Sequence, residues 1–332
     1  MKVWDLHCDT LCRMRYAQMA GNPVDFASND TLHISLERLE QGDYLLQCLA
    51  AFIYADPKSD DDPLISALEQ IDTFHRLMEK HSDRIAPVYT AADIDRNAAA
   101  GKISAMLTVE EGACCKGNLA ILRHLHRLGA RMMTLTWNFE NELAWPNMVP
   151  NGAGGFTAGA NTTGGLKEWG FEFLAEMERL RITADVSHLS DKGFWDIVEH
   201  STRPFAASHS NCRAVAPHAR NLTDEMIRAM AERGCIAGLN LCASFLDDAP
   251  VDGKYRSTAA LMAKHAAHFK KVGGVEMIAL GSDFDGIEGE LEISDCTKMQ
   301  LMEAALKAEG FTDDEVEAVF YKNALRFFKQ NL

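Results

Sequence analysis

Short apolar runs alternate along the chain with longer segments whose apolar residues recur every three or four positions. The short runs predict strands and the longer periodic segments predict helices. The predicted strands are Val3–Leu6, Tyr44–Phe52, Ala105–Val109, Met132–Thr136, Ile182–Val186, Pro204–Ala207, Cys235–Leu239 and Met277–Leu280. The predicted helices are Pro63–Glu79, Asn118–Leu128, Leu166–Leu180, Asp191–Glu199, Asp224–Glu232, Thr258–Lys271 and Asp313–Phe328.

Strands that alternate with helices in this way predict an α/β fold, a single (β/α)8 TIM barrel. No Pro/Ser-rich linker, charge run or fixed-period repeat divides the chain, so residues 1–332 are expected to form one domain. A doubly wound open sheet is the alternative, but no Gly-rich dinucleotide fingerprint directly follows a strand.

A long segment rich in Gly, Asn and Pro, Asn138–Gly165, follows the fourth predicted strand. Long loops inside compact domains are usually functional. We therefore expect an active-site loop; a tolerated surface insertion is the alternative.

Charge narrows the classes of function. The net charge of −15 opposes binding to nucleic acids and to anionic membranes. The sequence shows neither an uninterrupted apolar run long enough to span a membrane nor a secretory signal, and its nine cysteines are scattered. A cytoplasmic protein with reduced thiols is the expectation.

Metal-binding side chains follow five of the predicted strands. Sites in barrels lie at the carboxyl ends of the strands, where these side chains would converge. His7 and Asp9 would point the same way, because side chains alternate along a strand. The set comprises His7 and Asp9, Glu110 and Glu111, His188, His209, and the segment Ser282–Gly286.

Imidazoles together with carboxylates suit zinc, although manganese, cobalt or iron are alternatives. The set exceeds what one catalytic zinc takes, so we expect two ions that share a bridging carboxylate and hold a hydroxide between them. Asp283 or Asp285 would pass the proton to a leaving amine. This chemistry predicts amide hydrolysis.

Histidines within helical patterns, such as His265, are interpreted as outer-face residues, and His218 is a weak substrate-contact candidate.

The chain resembles the membrane (renal) dipeptidase family, peptidase family M19, among the amidohydrolase-like barrels. The matching motifs occur in the family's order and span nearly the whole chain. They are DLHCDTL from Asp5, VEEG from Val109, LTWN from Leu135, GLKEWG from Gly165, DVSHLS from Asp185, SHSNCRA from Ser208, ARNLTDE from Ala219, GSDFDG from Gly281 and NALRFF from Asn323.

The resemblance implies a binuclear zinc dipeptidase and assigns the residues. His7 and Asp9 match the ligands of one metal, His188 and His209 those of the other, and Glu110, rather than Glu111, the bridging carboxylate. Asp283 matches the proton-transfer residue, and Arg220 matches the arginine that binds the substrate's terminal carboxylate. A homodimer and a tolerance for a D-residue on the carboxyl side are also implied.

The chain departs from the family's pattern at two substrate-facing positions. Trp137 stands where better-known members carry a histidine near the scissile carbonyl, and Cys242 stands where they carry a tyrosine. Asn138 or a metal would then have to stabilise the tetrahedral intermediate. Trp137 could instead shape the pocket for an apolar side chain.

The sequence therefore predicts a dipeptidase that acts on free dipeptides. Another hydrolase on the same barrel, such as a lactonase or deaminase, is the first alternative. A metal-binding protein with decayed catalysis is the second alternative.

Overall fold

The computed structural model describes residues 1–152, 155–157 and 159–332. Residues 153, 154 and 158, which belong to the predicted loop Asn138–Gly165, lie outside the described part. All the named strands belong to one parallel sheet. They are β1 (Val3–Asp5), β2 (Tyr44–Phe52), β3 (Ile85–Pro87), β4 (Ile103–Glu110), β5 (Met132–Thr134), β6 (Thr183–Asp185), β7 (Ala206–Ala207), β8 (Ile236–Leu239) and β9 (Ile278–Leu280).

The sheet closes into a barrel of eight strands. Strand β1 pairs with both β2 and β9, and β2 pairs with β4 from Leu46 and Ser104 to Phe52 and Glu110. The predicted (β/α)8 barrel is confirmed. The short strand β3 pairs only with the start of β4 and does not belong to the ring. It was not predicted, because three residues ending in Pro87 carry little strand signal.

Helices surround the sheet between successive strands. The α-helices are Thr10–Met19, Leu36–Gln41, Pro63–Lys80, Ala91–Ala99, Leu119–Arg127, Glu168–Leu180, Asp191–His200, Asp224–Glu232, Ala243–Leu246, Ala259–Gly273, Leu301–Ala308, Asp313–Glu317 and Asn323–Asn331. Gly112–Cys115, Val275–Met277 and Cys296–Lys298 are 3₁₀-helical. The predicted helix Asp313–Phe328 contains a π-helical turn, Ala318–Lys322. Among the described residues, no helix combines the length and the apolar character that a membrane span requires.

Side-chain alternation along β4 positions the site. Met106 belongs to an apolar cluster formed by residues of successive strands and of the last helix, whereas Leu107 and Val109 pack in the larger, separate cluster. Glu110 is an even number of positions from Met106, so it shares the inner face at the carboxyl end of the barrel. Phe328 stacks on Trp4 of β1 with ring centroids 5.5 Å apart and fills the opposite end.

Candidate active site

Four predicted ligands converge on the fifth, Glu110, at the carboxyl end of the barrel. Glu110 Oε2 lies 3.1 Å from His7 Nε2, and Glu110 Oε1 lies 3.1 Å from His188 Nε2 and 3.6 Å from His209 Nε2. Asp9 Oδ2 lies 3.6 Å from His7 Nε2. All five side chains are buried. The structure thus brings together residues that follow β1, β4, β6 and β7.

Glu111 points away from this cluster. Its carboxylate is fully buried and accepts hydrogen bonds from the backbone N–H groups of Ala113 and Trp137, both at 2.8 Å, and from the side chain of Asn141. Burial raises the pKa of Glu111 to about 7. The structure therefore places Glu110, and not Glu111, within reach of the imidazoles, while Glu111 holds the loop after β5.

Hydrogen bonds fix which nitrogen of His209 faces the cluster. Asp185 Oδ2 accepts a hydrogen bond of 2.5 Å from Ser208 Oγ, which lies 2.7 Å from His209 Nδ1. Because the serine hydrogen goes to the carboxylate, Nδ1 of His209 must donate to Ser208. The Nε2 lone pair of His209 then faces Glu110. Asp185 also accepts from Thr134 at 2.8 Å, which ties β5 to β6.

Asn138 orients the ring of His188 in the same way, with Nε2 toward Glu110. Asn138 Oδ1 lies 2.9 Å from His188 Nδ1, so a hydrogen on Nδ1 leaves the Nε2 lone pair free toward Glu110. The backbone of His188 is in the left-handed region, with φ 69°. Such a strained conformation in a non-glycine residue is typical of functional sites.

Burial and the neighbouring charges together set the charge of the imidazoles. Burial, together with the positive charges of His7 and Arg220, holds the pKa of His188 and His209 well below the ordinary value. Burial opposes a charge on His7 as well, but the carboxylates of Glu110 and Asp9 outweigh it and raise the pKa of His7 well above the ordinary value. The cluster therefore favours a positive charge beside Glu110.

The donor set fits metal ions. His7 Nε2 and Asp9 Oδ1 are buried and make no hydrogen bond within the described structure. Ligand atoms of His7, Asp9 and Glu110 lie within 4.8 Å of one another, and so do those of Glu110, His188 and His209. The Nε2 lone pairs of His188 and His209 face each other beside Glu110 Oε1, so these atoms need a cation between them. Imidazole and carboxylate donors suit zinc and related divalent ions.

Asp283 and Asp285 have different surroundings. Asp283 Oδ2 accepts a hydrogen bond of 2.9 Å from Asn240, and burial raises the pKa of Asp283 to about 7. Asp285 instead accepts hydrogen bonds of 2.6 Å from Thr10 Oγ1 and from the backbone N–H of His33. Asp283 thus lies at the cluster with a pKa near neutrality, while Asp285 anchors a loop.

Arg220 is a buried cation without an ion-pair partner within the described structure. Its exposed fraction is 2%, and its guanidinium donates only weakly to His209 O at 3.3 Å and Ser210 Oγ at 3.4 Å. The Nε atom of Arg220 has no partner among the described residues. Burial lowers the pKa of Arg220. A buried arginine in this state is suited to an incoming anion.

A cavity of about 540 Å³ opens above the cluster. Asp9, Glu110, His188 and Asp283 lie on its floor, and Trp137, Asn138 and Cys242 line it. Arg220 is not among the residues that line this cavity, and neither is His218. His218 Nδ1 accepts a hydrogen bond of 3.2 Å from the backbone of Arg220, and its ring packs on Phe245.

Several residues of the site were not predicted. Asn240, which holds Asp283, and the cavity residues Phe52, Tyr54 and Met148 were missed. Asn240 directly follows β8, so its position at a strand end was the available signal. The interpretation of His265 as an outer-face residue was wrong. It is fully buried, and it accepts a hydrogen bond from Cys212 N at 3.0 Å and contacts Leu246 O at 3.1 Å.

Comparison with known proteins places this geometry in a family. Residues 1–331 match the model of the membrane dipeptidase family, peptidase family M19. An uncharacterized dipeptidase of Schizosaccharomyces pombe is 31% identical over 322 residues, covering 92% of this chain and 74% of its own. An uncharacterized Klebsiella pneumoniae protein from the pqqA 5′ region is 31% identical over 81% of this chain and 97% of its own.

Two solved structures share the fold over the full chain. One, described as the dipeptidase AC of metallopeptidase family M19, superposes with a TM-score of 0.89 at 25% identity, covering 100% of this chain and 99% of its own. The other is a metallopeptidase from Rhodobacter sphaeroides bound to a phosphinate mimic of the dipeptide L-Ala-D-Ala. It superposes with a TM-score of 0.88 at 26% identity and the same coverage.

Proposed function

Because this chain belongs to the membrane dipeptidase family and is an M19 metallodipeptidase, we propose that it hydrolyses free dipeptides with two zinc ions bound around Glu110. The observation that carries the proposal is the convergence of three imidazoles and Asp9 on one buried carboxylate. His7 and Asp9 would hold one ion, His188 and His209 the other, and Glu110 would bridge them. Zinc bound there would polarise the scissile carbonyl and lower the pKa of water.

Asp283 is proposed as the proton-transfer residue. With a pKa raised to about 7 by burial, its carboxylate can accept a proton from the attacking water at neutral pH and return it to the leaving amine. Asn240 donates to Oδ2, which leaves Oδ1 toward His7 at 4.0 Å from its Nε2. The hydrogen bond thus orients the carboxylate toward the cluster.

Arg220 and Asn138 are proposed to position the substrate. Arg220 would pair with the terminal carboxylate of the dipeptide, because a buried guanidinium without an anion is otherwise uncompensated. Asn138 contacts His188 through Oδ1, so its amide nitrogen can donate to the substrate's carbonyl oxygen. Trp137 would contact the substrate from the side of His188.

A D-residue on the carboxyl side is proposed to be accepted. The ligand of the Rhodobacter sphaeroides relative, a mimic of L-Ala-D-Ala, supports this part of the proposal.

The test is amino-acid release from L-Ala-L-Ala, L-Ala-D-Ala, N-acetyl-L-Ala-L-Ala and L-Ala-L-Ala amide by zinc-loaded protein, with and without a chelator. We expect chelator-sensitive cleavage of the two free dipeptides. The amide should be cleaved at least about tenfold more slowly, because it gives the buried Arg220 no carboxylate. Equal cleavage of blocked and free substrates, or no cleavage by protein that holds zinc, would contradict the proposal.

A further inference from the structure

The cavity above the metal-binding cluster is lined by both apolar and charged side chains. One side, here called the apolar wall, consists of Phe52, Tyr54, Trp137 and Met148. The rest of the lining includes charged groups, among them Arg13, Asp285 and Glu288. A volume of about 540 Å³ exceeds what the methyl side chains of Ala-Ala fill, and cavities of this size bind larger ligands.

Trp137 is the centre of the apolar wall. Its ring centroid lies 5.2 Å from that of Phe52 and 5.5 Å from that of Tyr54, both in edge-on contacts. Phe139 and Phe156 pack against the same indole at 5.8 and 5.5 Å. Although it has these neighbours, Trp137 is only half-buried, since part of its ring borders the cavity.

Hydrogen bonds to the backbone around Trp137 fix the position of the apolar wall. The backbone N–H of Trp137 donates to the buried Glu111, whose carboxylate also binds the side chain of Asn141. Asn141 in turn donates to Leu135 O at 2.8 Å and accepts from Leu143 N at 2.7 Å. An aromatic surface fixed before binding loses little conformational entropy when a ligand packs on it.

The wall begins beside the reacting centre. The ring centroid of Trp137 lies 5.8 Å from that of His188, one of the converging ligands. Arg220 lies on the other arc of the barrel, where it donates to His209 O after β7 and stacks on Phe245 after β8 at 5.3 Å. A dipeptide whose carboxylate reaches Arg220 therefore directs its amino-terminal residue toward β2, β4 and β5, where the apolar wall stands.

We propose that the apolar wall is the binding pocket for a large apolar or aromatic side chain on the amino-terminal residue of the dipeptide, with Trp137 as the specificity-determining residue. This inference rests on the proposed dipeptidase function and names its substrate class. Burial of an aromatic side chain against Phe52 and Trp137 would favour L-Phe-L-Ala over L-Ala-L-Ala and over L-Ala-L-Phe.

The test measures kcat/KM of zinc-loaded protein for L-Phe-L-Ala, L-Ala-L-Phe and L-Ala-L-Ala. We expect L-Phe-L-Ala to be preferred over L-Ala-L-Ala by at least about tenfold, as apolar pocket contacts usually give. Trp137→Ala should reduce this ratio severalfold, and Trp137→Phe should retain most of it. Trp195→Ala removes a tryptophan that is 39% exposed on the helix Asp191–His200 and should leave the ratio unchanged.

Zinc content and the circular-dichroism spectrum of each variant show whether the cluster and the fold persist. If the protein cleaves all three dipeptides equally, or if Trp137→Ala keeps the ratio while it retains zinc, the pocket assignment is wrong although the dipeptidase function stands. If L-Ala-L-Phe is the preferred substrate instead, the placement of the amino-terminal residue at the apolar wall is wrong. If zinc-loaded protein cleaves no dipeptide, the proposed function fails, and the pocket assignment fails with it.

Discussion

The Nε2 atoms of His188 and His209 lie 3.0 Å apart, and each ring uses its Nδ1 to contact a fixed oxygen, of Asn138 or Ser208. Both Nε2 lone pairs therefore face each other beside Glu110 Oε1. Without a cation between them these atoms repel one another, so the folded protein has a site already arranged for metal.

Metal removal should lower stability. Zinc that binds the folded chain and not the unfolded chain adds about 4 kcal/mol to the free energy of unfolding at a free concentration of about 1,000 Kd. We expect a chelator to lower Tm and zinc to restore it in scanning calorimetry. A Tm that does not respond to zinc, in protein with no bound metal by mass spectrometry, would contradict the metal site.

Asp283→Asn should separate catalysis from metal binding. The amide cannot accept a proton, so we expect kcat to fall about 10²- to 10⁴-fold while zinc content stays at the wild-type level. Asp248→Asn, at an exposed position, is the control. Loss of zinc from Asp283→Asn would show instead that Asp283 is a ligand, since its carboxylate lies within reach of His7 and His209.

Gly286→Ala should damage the cluster by sterics alone. A Cβ atom at residue 286 would lie 2.0 Å from Asp9 Oδ2 and 2.5 Å from Asp283 Oδ1, so both carboxylates would have to move. We expect weaker zinc binding and little turnover. Gly159→Ala meets no atom of the described residues within 4 Å and is the matched control. Normal zinc affinity in Gly286→Ala would show that these carboxylates can shift without cost.

Arg220→Lys should raise KM for free dipeptides at least about tenfold, because lysine lacks the planar fork that pairs with a carboxylate. The substitution should matter far less for dipeptide amides, which have no carboxylate to lose. Steady-state kinetics on L-Ala-L-Ala and its amide measure both effects. An equal rise in KM for both substrates would argue for a structural role of Arg220.

His265 should make stability depend on pH. Burial lowers the pKa of His265 to about 4, from 6.5, because the ring is enclosed between Cys212 and Leu246. Protons then bind the unfolded chain more readily than the folded chain. The contribution of neutral His265 to the free energy of unfolding is therefore complete above pH 6.5 and is lost as the pH falls toward 4. The free energy of unfolding lost through His265 between about pH 7.5 and pH 5 is about 2 kcal/mol.

Urea unfolding at these two pH values should show that His265→Gln reduces the loss of stability on acidification by roughly that amount. His124→Gln, at an exposed position, should not change it. If wild type and His265→Gln lose the same free energy, His265 is not the group responsible.

The sequence predicted best those site residues that follow the carboxyl ends of the strands. Period-two alternation and the shared edge of parallel strands were enough to anticipate that His7, His209 and the pair Glu110-Glu111 lie together, and the family resemblance selected Glu110. Contacts between loops from different strands were not predictable, since no local pattern records them. Hence the apolar wall of Phe52 and Met148, and the burial of His265, were missed. The homodimer and the cytoplasmic location stay predictions.

The pairing of β1 with β9 has a consequence for biosynthesis. Asp5 on β1 accepts hydrogen bonds from Ser282 N at 2.8 Å and Ser282 Oγ at 2.6 Å, and Asp9 faces Gly286, so the two ends of the ring meet at the cluster. A nascent chain exposes His7 and Asp9 first but completes their surroundings only after residue 286 has left the ribosome. Uptake of the proposed zinc ions would therefore be a late event of synthesis, and bound zinc would report that a molecule has closed its barrel.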